Sequence, residues 1–114
     1  MKFAPRIRFL ARQNATMNIP ELMAQLVELK KIYNDEGCRD FDRGIDGVLS
    51  MLSQGALPNT PEWEQAGSMY RTMAGSKSGF SDLYIDRDNV EQRIAANSKL
   101  DAIRQTLWAT FTRV

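Results

Sequence analysis

Apolar residues along the chain recur at steps of three and four, the period of one face of an α-helix. Leu22, Leu26, Leu29 and Tyr33 keep this spacing, and Met23, Val27 and Ile32 widen the stripe. Asn18-Ile-Pro-Glu21 reads as the opening of that helix, with Asn18 as cap, Glu21 three residues on and Pro20 in the first turn. Gly37 supplies the stop, because glycine takes the left-handed conformation that closes helices. A second helix is predicted from near Asp40, burying Phe41, Ile45, Val48, Leu49 and Leu52. Gly44 and Gly47 inside it either weaken its propensity or let a neighbour approach closely. Residues 55–59, which contain Pro58, are a turn.

Thr60-Pro61-Glu62 opens a third helix, a cap followed by proline at the first helical position. Trp63, Ala66, Tyr70 and Met73 form its apolar stripe. Residues 74–82 lack periodicity and are expected to be a loop; Leu83-Tyr84-Ile85 is expected to be a short extended piece or one helical turn. From Asp88 the pattern is helical to the end. Val90, Ile94, Leu100, Ile103, Leu107 and Phe111 mark its buried side, with Asn97-Ser98 as the point where it would divide in two. No period of ~20–50 residues recurs, which excludes a repeat array. The pattern predicts an all-α fold, a single-domain bundle of four to five helices spanning residues 17–114. Residues 1–16 are expected to be a basic N-terminal arm or extension.

Composition narrows what such a bundle can do. At 114 residues the chain is one domain's length, and its 43% apolar content suffices for a core without staples. No apolar run is long enough to span a bilayer. Cys38 is the only cysteine, so an intrachain disulfide is excluded and a reducing, cytoplasmic location is expected. Histidine is absent, which excludes Ser-His-Asp and Cys-His catalysis and any His-ligated metal. The net charge of +1 hides an asymmetry: Lys2, Arg6, Arg8 and Arg12 make residues 1–16 basic, and the remainder carries 11 basic and 14 acidic side chains.

Several local patterns invite chemical readings, and most yield to simpler ones. Gly75-Ser-Lys77-Ser-Gly79 lacks the Gly-Lys pair and preceding strand of a phosphate-binding loop, and reads as a connector. Asp40, Asp42 and Asp46 resemble half of a calcium loop, but Ile45 and Met51 stand where its glycine and bidentate glutamate belong. Cys38, with no histidine to activate it, reads as a structural thiol. Trp63 and Trp108 lie on apolar stripes and read as core residues. Asn14-Ala-Thr16 fits a glycosylation sequon without a visible secretion route.

The segment Gly79-Phe-Ser-Asp-Leu-Tyr-Ile85, followed by Asn97-x-x-Leu100-Asp101 and the Leu107-Trp108 ending, carries a more specific pattern. It is similar to a family of small bacterial helical proteins that resemble the immunity proteins encoded beside polymorphic toxins. Gly75, Phe80, Asp82, Leu83, Asn97, Leu100 and Trp108 match that pattern, over residues 63–114. Ser76 and Ser78 depart from it, standing where further glycines are common. The resemblance implies a toxin-binding protein with no enzymatic role and no cofactor. Physically, Gly79 allows a sharp turn, Phe80 can plug the bundle end, and Asp82 can accept loop N–H bonds or cap a helix starting at Leu83. Asn97 can hydrogen-bond the same loop from the facing helix.

Two function classes follow. The first is an immunity protein that occludes a cognate toxin's active site. Its acidic body would steer it toward a basic cleft, with Asp35, Glu36, Asp40, Asp42 and Asp46 as candidate contacts and Glu62 and Glu64 as a second group. The second is a small helical enzyme or a metal- or ligand-binding domain using Asp82, Asp86 and Asp88. A nucleic-acid binder, resting on the basic arm alone, is the weakest reading. No membrane partner is indicated.

Overall fold

The computed structural model describes residues 18–75 and 79–112. The basic arm, the sequon and Lys77 of the connector lie outside them. Among the described residues there are four α-helices: α1 (Ile19–Asp35), α2 (Asp42–Ser53), α3 (Pro61–Gly75) and α4 (Val90–Thr112), with a 3-10 turn at Phe80–Asp82 before α4. Each helix places one stripe on a shared core, as a bundle requires.

Helix α1 begins where Asn18 caps it, its side chain accepting the Glu21 N–H at 2.8 Å. Leu22, Leu26, Leu29 and Tyr33 are fully buried. The chain turns at Gly37, whose φ of 82° favours glycine. Helix α2 starts at Asp42 rather than Asp40, with Phe41 at its cap position and no side-chain cap bond. Phe41 is drawn into the core instead, next to Ile45, Val48 and Leu52, while Leu49 is only half-buried. Helix α3 has its predicted cap: Thr60 Oγ1 accepts the Trp63 N–H at 3.1 Å.

The glycines of α2 permit close approach. A Cβ on Gly44 would lie 2.8 Å from Met73 Sδ, and one on Gly47 would collide with the Met69 methyl. Methionines from α3 fill the notch, so flexible side chains seal a seam that a larger α2 residue would hold open. Lys30–Asp46 (2.9 Å) and Asn34–Asp42 (2.7 Å) join α1 to α2, and Lys99–Glu28 (2.9 Å) joins α4 to α1.

Three expectations are corrected in the second half. Helix α3 continues to Gly75, so the loop does not begin at residue 74. Helix α4 does not divide at Asn97-Ser98; its 23 residues are continuous, and Asn89 caps it by accepting the Gln92 N–H at 2.9 Å. Val90 and Ile94 are not buried but 54% and 60% exposed. The face through Leu100, Ile103, Leu107 and Phe111 runs back through Ala96 and Arg93, at helical steps of three and four. Ile94 is six positions before Leu100, which rotates it off that face.

Candidate functional site

Phe80 is the hub between α1, α2, α3 and α4. Gly79, with φ 100°, turns the chain so that the Phe80 ring enters the core, where it is 1% exposed. The ring stacks on Tyr33 (centroids 5.2 Å apart) and meets Phe41 (5.1 Å) and Tyr70 (5.8 Å) edge to face. Such pairs add about 0.5–1.5 kcal/mol beyond the area they bury. The expected plug is therefore present.

The Phe80 carbonyl is met by two donors. Tyr33 donates its hydroxyl to it, and Arg104 Nη1 donates to it at 2.9 Å and to the Tyr33 oxygen at 3.1 Å. Arg104 Nη2 pairs with Asp101 at 2.8 Å. Burial works against the Arg104 charge, but its bonds to Asp101 and Tyr33 prevail and hold its pKa above the ordinary value. Burial pushes the Tyr33 phenol up against the pull of Arg104, and pushes Tyr70 up further. Both phenols are protonated at neutral pH, so neither can serve as a general base.

A second clasp fixes the approach to α4. Asn97 Oδ1 accepts the Ile85 N–H at 2.8 Å, and Asn97 Nδ2 donates to the Ile85 carbonyl at 2.8 Å. This two-way bond is the expected grip of the facing helix on the loop. Residues 83–87 belong to neither helix nor strand, so Leu83-Tyr84-Ile85 does not form a helical turn. Asp82 closes the 3-10 turn and does not cap a helix at Leu83; its exposed side chain bonds no other described residue. Gly75 ends α3 with open space around it.

Beside the Phe80 hub a cleft of about 430 Å³ opens between the end of α3 and α4. Tyr70, Ala74, Gly75, Phe80 and Ser81 line one side of it, and Asp101, Arg104, Gln105 and Trp108 of α4 form the opposite wall. Trp108 is 44% exposed, so it is not the core residue its stripe suggested. Trp63 is half-buried, packed on Phe111 with centroids 5.3 Å apart. Trp108 follows Val90 by about five turns of ~3.6 residues, which puts Val90, Ile94, Asp101 and Trp108 along one edge of α4. Exposed apolar side chains and the cleft wall thus share a single helix edge.

The proposed acidic face is differently constituted from what its sequence suggests. Asp35 pairs with Lys31 (2.9 Å), Glu36 with Arg87 (2.6 Å), Asp46 with Lys30 (2.9 Å), and Asp42 lies 3.8 Å from Arg39. Only Asp40 of the five lacks an ion pair among the described residues. Four of the five charges are thus locally balanced, so the face projects less negative potential than its carboxylates imply. Asp82, Asp86 and Asp88 are all exposed, and among the described residues no three acidic or thiol groups converge as a metal site would need. Cys38 is half-buried beside the core.

Arg104 is the residue that periodicity missed, and Trp108 the one it misplaced in the core. The available signal was Arg104 itself, a charge placed four after Leu100 and three before Leu107, in step with the buried stripe. The described residues thus form an all-α domain of four helices with a cleft on one edge of α4. No protein-family model matches the chain, and no curated protein or solved structure matches it either. No helix among the described residues is long and apolar enough to cross a membrane.

Proposed function

We propose that this chain is a cytoplasmic, non-catalytic immunity protein that binds a cognate bacterial toxin and occludes its active site. The observation that carries the reading is the outward edge of α4. Val90 (54% exposed), Ile94 (60%) and Trp108 (44%) line it, and Tyr84 (62%) stands out from the segment that leads into it. Apolar and aromatic side chains held outward on a rigid helix are what a protein interface uses for affinity. The buried and half-buried groups with displaced pKa values, Tyr33, Tyr70 and Arg104, are committed to holding the fold, and the exposed Lys31 and Arg87 owe their shifts to ion pairs with Asp35 and Glu36, which supports a binding role over acid–base chemistry.

The affinity is assigned to this apolar edge rather than to the acidic face, because four of the five candidate acids already face bases of this chain. The acidic excess of residues 17–114 adds modest steering toward a basic partner. Co-purification of the tagged chain with the product of its adjacent gene, followed by a co-expression survival assay, tests the proposal. A one-to-one complex that restores growth is expected. A chain that neither binds nor rescues would remove the immunity reading.

A further inference from the structure

Resting on the reading of the chain as a protein-binding domain, we infer that the cleft beside Trp108 receives an aromatic side chain of the partner together with its flanking peptide amides. Two features of the lining select that occupant. The side opposite α4 is built from Tyr70, Ala74, Gly75, Phe80 and Ser81 and carries no charged group, its two rings being buried almost completely. The indole of Trp108 stands 44% exposed at the wall, without a ring partner among the described residues, whereas Trp63 spends its ring on Phe111. An incoming ring gains an offset or edge-on aromatic contact there, and aromatic anchors in such pockets dominate many interfaces.

Charge selects against the alternatives. The wall's one anion, Asp101, is paired with its one cation, Arg104, and Arg104 is tied down by Tyr33 and the Phe80 carbonyl. A charged ligand would be attracted by one member and repelled by the other. Neutral hydrogen-bonding groups meet no such conflict. The second Asp101 oxygen, the Gln105 carboxamide and Trp108 Nε1 bond no other described residue, and they offer both donors and acceptors to a peptide backbone. A volume of about 430 Å³ accommodates a ring and its adjoining amides, within the ~300–1,000 Å³ usual for ligand pockets.

Titration of the ¹⁵N-labelled chain with N-acetyl-tryptophanamide tests this without any partner. Saturable shifts are expected at the Trp108 indole N–H, the Gln105 side-chain amide and Ala74. The leucine, arginine and aspartate analogues of the probe are expected to bind about tenfold more weakly or worse, a difference of ~1.4 kcal/mol. Trp108→Ala should abolish the preference for the aromatic probe. Gln105→Phe, which fills the cleft from an exposed position, should weaken binding of all probes while the protein stays folded. Absence of saturable shifts in the parent, a preference for a charged probe, or binding untouched by both substitutions would overturn the inference. Probe binding without toxin rescue sinks the immunity reading and leaves the cleft standing; rescue without probe binding does the reverse.

Discussion

The two halves of α4 are built to different ends. From Leu100 to Phe111 the helix is knitted into the bundle: Leu100, Ile103, Leu107 and Phe111 are buried, and Arg104 bonds Tyr33, Phe80 and Asp101 at once. From Val90 to Ala96 the helix sends Val90 and Ile94 outward, and the segment before it is held by polar clasps: Asn97 on Ile85, Glu36 on Arg87, and Arg93 Nη1 on the Arg87 carbonyl at 2.9 Å. The difference teaches where this small domain places its stability and where it leaves surface to spare. One half supports the hub, and the other presents apolar side chains that the core does not need.

The largest effect should come from the hub. Phe80→Ala removes a ring shared by Tyr33, Phe41 and Tyr70, and should cost about 3–5 kcal/mol in denaturant unfolding. A variant that melts like the parent would show that the hub is not where the stability lies. Asn97→Ala comes next. It leaves the Ile85 N–H and carbonyl without their partner, at about 1–3 kcal/mol, and should abolish exchange protection of the Ile85 amide while sparing Leu29. Equal loss of protection at both amides would mean that the two halves unfold as one.

Tyr33→Phe removes one donor from the Phe80 carbonyl and one acceptor from Arg104, for about 0.5–1.5 kcal/mol at neutral pH. It should also change the alkaline limb. Tyr33 and Tyr70 hold their protons more tightly folded than unfolded, relative to an ordinary value of 10.0. Their contribution is therefore complete below that value and is lost as pH rises through the raised folded values. Stability in the parent should fall with pH above the ordinary tyrosine range, and less steeply in Tyr33→Phe and Tyr70→Phe. Identical alkaline slopes in all three would contradict the burial of the phenols. The smallest stability effect belongs to the outward half: Ile94→Ser should stay within about 0.5 kcal/mol of the parent. A larger cost would mean that Ile94 packs in the folded chain.

Legibility in the sequence followed the same division. Helix α1 could be read almost whole, because its cap, its stripe and its terminal glycine agree with one another; only Val27, 55% exposed, does not widen the stripe as expected. The Phe80 plug and the Asn97 clasp followed from residue type, an aromatic directly after the left-handed Gly79 and an amide on the helix facing that loop. The outward half of α4 was misread because Val90 and Ile94 are apolar and lie upstream of a true stripe; only the six-residue step to Leu100 betrays the change of face. The acidic face misled for another reason. Charges are visible in the sequence, but their partners are not: Lys30 lies 16 residues from Asp46, and Arg87 lies 51 from Glu36. The cleft depends on the end of α3, the 3-10 turn and α4 meeting, and no local spacing encodes that meeting.

The most direct test of the account is survival on co-expression with the adjacent gene's product, comparing two folded variants. One combines Ile94→Ser with Trp108→Ala on the α4 edge; the other reverses Asp40, Asp42 and Asp46 to lysine. Loss of rescue in the α4 variant, with rescue retained at most slightly weakened in the charge-reversed one, is the predicted result. Rescue that survives the α4 changes and vanishes with the acidic ones would contradict the central claim and return the interface to the α1–α2 face.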